Sequence, residues 1–153
     1  MAESSRGSFP AVRRALPSDA DSLASLDVPG LTTAAAWCAE LERRDALAWT
    51  WSEDGQPGGA LVARRTLDQI EVHQLWVVPA HRRRGGADLL LACALEEARE
   101  VGASEVHLEV RASNQAAIGC YAKHGFVATG RRPRYYPGAP REDAVLLTRV
   151  LSS

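Results

Sequence analysis

From Ile70 to Arg111 the chain reads strand, glycine-bearing turn, helix, strand, and this succession restricts the fold more than any other stretch. IEVHQLWVV is rich in β-branched and aromatic residues and stops at Pro79. The turn AHRRRGGA follows, after which Leu91, Leu95, Ala98 and Val101 mark one face of a helix from Asp88 to Val101, with Gly102 suited to the position beyond its last turn. VHLEVR, residues 106–111, resumes strict alternation. A helical crossover returns the chain to the end where the first strand began, so the two strands it joins lie parallel.

The flanking segments favour antiparallel neighbours. AVRRAL (11–16) reads as a strand, and Pro17-Ser18-Asp19 opens a short helix through about Leu26 that Val28-Pro29-Gly30 breaks. Thr32 or Thr33 caps a second helix through Arg43, with Ala36, Trp37 and Leu41 on its apolar side. ALAWTWS and GALVARRTL, joined by EDGQPG, form a hairpin. Beyond VHLEVR come a break at Ala112-Ser113-Asn114, a short helix closed by Gly125, the strand FVATGR, a loop PRYYPGAPRED and a last strand AVLLTRVL. The order β-α-α-β-β-β-α-β-α-β-β predicts an α/β (α+β) chain with a mixed, mostly antiparallel sheet of six to seven strands and about four helices.

A chain of 153 residues buries roughly 70% of its unfolded surface in one core, so residues 10–153 are expected to form a single domain behind a flexible tail over 1–9. Net charge is −1 with 24% charged residues, which lacks the basic field that nucleic-acid binding requires. MAESSRGSF has no apolar signal core, and LLLACAL (89–95) is far shorter than a bilayer span. No membrane association is expected. Cys38, Cys93 and Cys120 form no CxxC pair, which fits neither a disulfide framework nor a zinc site and points to the reducing cytoplasm. No two of His73, His81, His107 and His124 have metal-ligand spacing, so no metal is expected. The expected state is a monomer or a weak homodimer.

The turn Arg82-Arg83-Arg84-Gly85-Gly86-Ala87 between strand and helix offers backbone N–H groups and a positive helix end, which together hold phosphate. The competing reading is a solvated basic turn. Along VHLEVR, Val106, Leu108 and Val110 face one side while His107, Glu109 and Arg111 face the other. Glu109 is either a surface carboxylate paired with Arg111 or a group turned into a cleft, and Tyr121 either packs on Ile118 and Phe126 or faces that cleft. Asn114 or Ser113 can cap the helix that follows.

Arg82-x-x-Gly85-x-Ala87 matches the R/Q-x-x-G-x-G/A signature of the GNAT superfamily of N-acetyltransferases. Leu108, Val110, Asn114, Ala117, Tyr121, Gly125 and Phe126 match its next strand and helix, so the resemblance covers at least residues 58–151. The longer strings LEVRASN, RYYP and REDA resemble the bacterial ribosomal-protein alanine N-acetyltransferases and, more loosely, the wider group acting on protein N-termini.

The resemblance implies a GNAT fold whose central parallel strands splay around acetyl-CoA. It gives the cosubstrate to the backbone of Leu75, Trp76 and Val77, to the turn Arg82, Arg83, Arg84, Gly85, Gly86, Ala87 and Asp88, and to Asn114. It makes Glu109 the general base, directly or through water, and Tyr121 the general acid, in direct transfer within a ternary complex. Tyr135 and Tyr136 then clamp the substrate's N-terminus. An α-amine, with pKa about 7.7–8.0, is far easier to deprotonate at neutral pH than lysine at about 10.4.

Two features depart from the family pattern: DVPGLTT replaces an aromatic Pro-Trp segment, and Trp76 stands where a small residue is usual. They keep open a GNAT enzyme acting on a small-molecule amine or antibiotic. A non-catalytic acetyl-CoA-binding module would need the turn but not Glu109 and Tyr121 together.

Overall fold

The computed structural model describes residues 11–82 and 85–151. The expected tail over 1–9, and Arg83 and Arg84, lie outside the described residues. Strands β1 (Ala11–Arg14), β2 (Ala46–Glu53), β3 (Gln56–Thr66), β4 (Gln69–Val77), β5 (Glu105–Arg111), β6 (Val127–Tyr136) and β7 (Glu142–Val150) alternate with helices α1 (Ala20–Ala24), α2 (Ala34–Leu41), α3 (Gly86–Glu100) and α4 (Gln115–Lys123). Short 3₁₀ turns at Pro17–Asp19 and Pro79–His81 precede α1 and α3. The strands form one seven-stranded sheet in the order β1-β2-β3-β4-β5-β7-β6.

The predicted parallel pair is β4–β5, in register from Gln69↔Glu105 to Val72↔Leu108. The pairing ends there, with β4 running on to Val77 and β5 to Arg111. β1–β2, β5–β7 and β6–β7 are antiparallel, which bears out the mixed, mostly antiparallel sheet.

The chain divides into two compact units, Met1–Ala63 with Gln74–Ala94, and Arg64–His73 with Leu95–Ser153. In the first, β2 is buried on both faces from Ala48 to Trp51. One face meets the helical layer, where Leu23, Leu26, Val28 and Trp37 pack with Ala48, Ala60 and Val62. α2 is capped by Thr33, whose Oγ1 accepts the Ala36 N–H at 3.1 Å, the second of the two predicted caps. The helix ends at Leu41 instead of Arg43, because Arg43 turns to Asp45 at 2.9 Å. α1 stops at Ala24, short of Leu26, where Leu26 N–H bonds Leu23 carbonyl at 3.0 Å and the chain tightens into a turn.

Gly59 in β3 makes a backbone contact that leaves no room for a side chain. A Cβ there would stand 2.7 Å from the Trp76 carbonyl oxygen, and strand backbone cannot yield as a side chain can. Gly59→Ala is expected to destabilise the fold by about 2–3 kcal/mol and lower the thermal midpoint by roughly 5–10 °C. A midpoint within about 2 °C of the parent would show that β3 and β4 separate there at little cost.

In the second unit the alternation of β5 holds as predicted, with Val106, Leu108 and Val110 buried. The last hairpin differs from expectation. The segment read as a loop, PRYYPGAPRED, is taken up from both sides, since β6 runs to Tyr136 and β7 begins at Glu142. A register shift between Arg132 and Tyr136 absorbs Pro133 and Arg134. Arg134 adopts φ +53°, and its N–H is held by Asp143 Oδ1 at 2.9 Å. A bulge on an edge strand is where proline is tolerated. No helix among the described residues is long and apolar enough to cross a membrane.

Candidate active site

In the first unit Gly85 takes φ +81°, a conformation costly for any other residue, and turns the chain into α3. A Cβ there would meet nothing within 4 Å, so the space above the turn is open. Leu89 N–H bonds Gly85 carbonyl at 3.0 Å, which leaves the N–H groups of Gly86 and Ala87 ahead of the helix's own ladder, at its positive end. Gly86 is seated on Trp51, since an added Cβ would approach that ring to 2.7 Å. Asp88 falls in the first turn of α3. An open turn with helix-start N–H groups fits the pyrophosphate of a CoA ester.

Arg82 turns the other way. Its Nε donates to Val77 carbonyl at 2.9 Å, and its guanidinium lies 5.4 Å from the centre of the Trp76 ring. Leu75, Trp76 and Val77 form the end of β4, beyond its last pair with β5. The Trp76 indole N–H donates to Leu26 carbonyl at 2.8 Å, and Gln74 Nε2 to Pro29 carbonyl at 2.9 Å. The two departures from the family pattern are therefore neighbours: Trp76 bonds the residue just before DVPGLTT, and Gln74, two residues earlier on β4, holds Pro29 within it.

The second unit carries Glu109 and Tyr121, the residues expected to act as base and acid. β7 places Leu146 opposite Glu109 and Ala144 opposite Arg111. The Glu109 side chain is 19% exposed, and its Oε1 accepts from Arg132 Nε at 3.1 Å. Its Oε2 is buried with no hydrogen-bond partner among the described residues, which leaves one acceptor of the carboxylate unengaged. The anticipated alternative, a pair with Arg111, does not form. Arg111 reaches Glu142 at 3.2 Å instead. Glu142 also accepts the Ser113 N–H at 2.6 Å, and hydrogen bonding from the Ser113 side chain, then from its backbone, with Arg111 beside them, lowers its pKa from the ordinary carboxylate value.

Glu109 lines a pocket of about 200 Å³ with Glu71, Val72, His73, Tyr135 and Tyr136. The two tyrosines meet edge to face at 5.0 Å, and Arg111 lies 4.5 Å from the Tyr136 ring centre. Burial raises the Tyr136 hydroxyl pKa, with the Glu109 charge adding to the shift. Glu71 and Glu109 also border a second pocket of about 270 Å³ along His107, Arg132, Leu146 and Thr148.

Tyr121 is 7% exposed and packs edge to face on Phe126 at 5.5 Å. Burial drives its hydroxyl pKa above the ordinary tyrosine range, Cys120 and Tyr136 contributing after it. The packing role weighed for this residue is thus real, and it engages the ring rather than the hydroxyl. Asn114, not Ser113, caps α4, its Oδ1 accepting the Ala117 N–H at 3.1 Å. That bond leaves the Asn114 amide N–H₂ out of the cap.

Glu71, His73 and Arg132 were absent from the sequence-predicted set. Glu71 and His73 lie two residues apart on one face of β4, and their contact at 3.1 Å follows from that spacing. The β4–β5 register sets Glu71 beside His107, two residues before Glu109. Arg132 comes from a strand two positions away in the sheet, and no local pattern announces it.

Residues 14–126 match the family model described as the Acetyltransferase (GNAT) family. Over 149 residues the chain is 32% identical to the ribosomal protein bS18-alanine N-acetyltransferase of Salmonella typhimurium, covering 85% of this chain and 95% of that protein. A stretch of 81 residues, 53% of this chain, is 44% identical to an uncharacterized protein of Mycobacterium leprae but spans only 21% of that protein's length. The crystal structure of the ribosomal-protein-S18-alanine N-acetyltransferase from Escherichia coli has the same fold, with a TM-score of 0.85 over 95% of this chain and 96% of that one at 23% identity. With the family match, the identity over most of the length and the fold in agreement, the chain belongs to the acetyltransferase (GNAT) family, and its chemistry is N-acetyl transfer.

Proposed function

We propose that this N-acetyltransferase acetylates the α-amino group of a protein N-terminus, an alanine-initiated ribosomal protein being the substrate its relatives suggest, with acetyl-CoA as donor. In this reading residues 10–153 act as one acetyltransferase domain. The observation that carries it is the pocket that Glu109, whose Oε2 has no hydrogen-bond partner among the described residues, lines together with Tyr135 and Tyr136. A carboxylate at such a pocket, with one oxygen not already engaged, can take the proton of an amine bound there.

Bound acetyl-CoA supplies the acyl thioester. The N–H groups of Gly86 and Ala87 take the pyrophosphate, with Arg82, Arg83, Arg84, Gly85 and Asp88 around the turn. The backbone of Leu75, Trp76 and Val77 and the amide of Asn114 orient the pantetheine arm. Glu109 takes the proton of the incoming amine at Oε2, directly or through a water. Tyr121, kept protonated by burial, gives its hydroxyl proton to the departing thiolate. Tyr135 and Tyr136 hold the first residues of the acceptor, so that geometry admits an amine at a chain end and refuses a lysine side chain.

The test is acetyl-CoA turnover on an alanine-initiated peptide containing lysine, on the same peptide with its N-terminus blocked, and on small amines that include an aminoglycoside. Mass spectrometry should place the acetyl group on the α-amine alone, and blocking that amine should abolish turnover. Efficient acetylation of the blocked peptide, or a preference for the aminoglycoside, would overturn the reading and favour a small-amine acetyltransferase.

A further inference from the structure

Glu109 and Arg132 stand on strands that do not touch. The order β5-β7-β6 interposes β7, so the arginine must cross about 10 Å of sheet, two strand spacings, to reach the carboxylate. On β7 it passes between Ala144, which is level with Arg132, and Leu146, which is level with Gly130 and is the partner of Glu109. Arg132 is also the last regularly paired residue of β6 before the bulge, where its guanidinium lies 5.5 Å from the Tyr135 ring centre.

We propose that Arg132 is a positioning residue for the reaction, which ties the aromatic wall of the acceptor pocket to the carboxylate that receives the amine's proton. Its Nε occupies Oε1 of Glu109, which fixes the plane of the carboxylate and leaves Oε2 as the oxygen not engaged. A planar guanidinium fixes a carboxylate in orientation as well as by charge. The pair adds little to folding, because the Arg132 side chain is 55% exposed and ion pairs of that kind contribute little to stability. An arginine held across a strand for small energetic return is therefore explained by orientation. The inference rests on Glu109 being the proton acceptor and not on which amine is acetylated.

The experiment is a double-substitution cycle on the full chain, Arg132→Gln, Arg132→Lys, Glu109→Gln and the double Arg132→Gln/Glu109→Gln, assayed with acetyl-CoA and the best acceptor found. Arg132→Gln should lower kcat about 10- to 100-fold, the scale of a misplaced reacting group, with KM for acetyl-CoA and the thermal midpoint unchanged. Arg132→Lys, which keeps the charge and loses the fork, should recover part of the loss. In the Glu109→Gln background, Arg132→Gln should cost less than about twofold more, since its partner's role is already gone. Multiplying losses, or a single Arg132→Gln within about twofold of the parent, would overturn the positioning role while leaving Glu109 as the base. An unimpaired Glu109→Gln would instead remove the base reading, and this inference with it.

Discussion

Replacing Glu109 with glutamine is expected to lower kcat by about 10²- to 10⁴-fold, the usual share of a general base, with little change in acetyl-CoA affinity. Glutamine keeps the volume and an acceptor oxygen at Oε1 but has no group that can take a proton. Folding should survive, because the charge left behind on Arg132 is more than half exposed to water. Steady-state kinetics separates the two parameters, and calorimetry with CoA checks that the cradle in the first unit is intact. A loss in acetyl-CoA affinity with kcat preserved would assign Glu109 to binding. A variant as active as the parent would move proton removal to another group, His73 being the first candidate from the same pocket.

Tyr121→Phe is expected to have the next largest effect, again about 10²- to 10⁴-fold in kcat. The substitution is clean because the ring contact with Phe126 at 5.5 Å is one phenylalanine also makes, and only the hydroxyl is lost. Burial raises the tyrosine pKa, so the proton is retained throughout the neutral range and titration of Tyr121 should set no limb of the rate profile between pH 6 and 9. Acceptor KM should change little, as a proton delivered to the leaving thiolate acts in the transition state. If thermal stability falls while kcat holds, Tyr121 belongs to the core alone.

The fold was legible where a local pattern decides the outcome. Alternation in VHLEVR announced which residues of β5 face the core, and the spacing of Leu91, Leu95 and Ala98 announced α3. The last hairpin was not legible. Pro133, Pro137 and Gly138 mark a loop in sequence, yet Asp143 holds both Arg131, at 2.7 Å, and the Arg134 N–H, and so extends the pairing past the proline. Glu109 shows the same limit at the site. Its nearest basic neighbour in sequence is Arg111, but strand register assigns Arg111 to Glu142 and brings Arg132 from 23 residues away. Register is set by the pairing of whole strands, and no single stretch contains it.

β6 is the sheet's terminal strand, and along most of its length its residues are exposed. A strand so placed is open to pairing with a second chain, the first step toward edge-to-edge association. The bulge after Arg132 interrupts its hydrogen-bonding rhythm, Pro133 offers no N–H, and Arg131, Arg132 and Arg134 gather like charge on the same short stretch. The features that shape the hairpin beside the pocket of Tyr135 and Tyr136 therefore also make this edge a poor template for another strand. Straightening the hairpin to improve its pairing would sacrifice solubility along with the shape of the pocket.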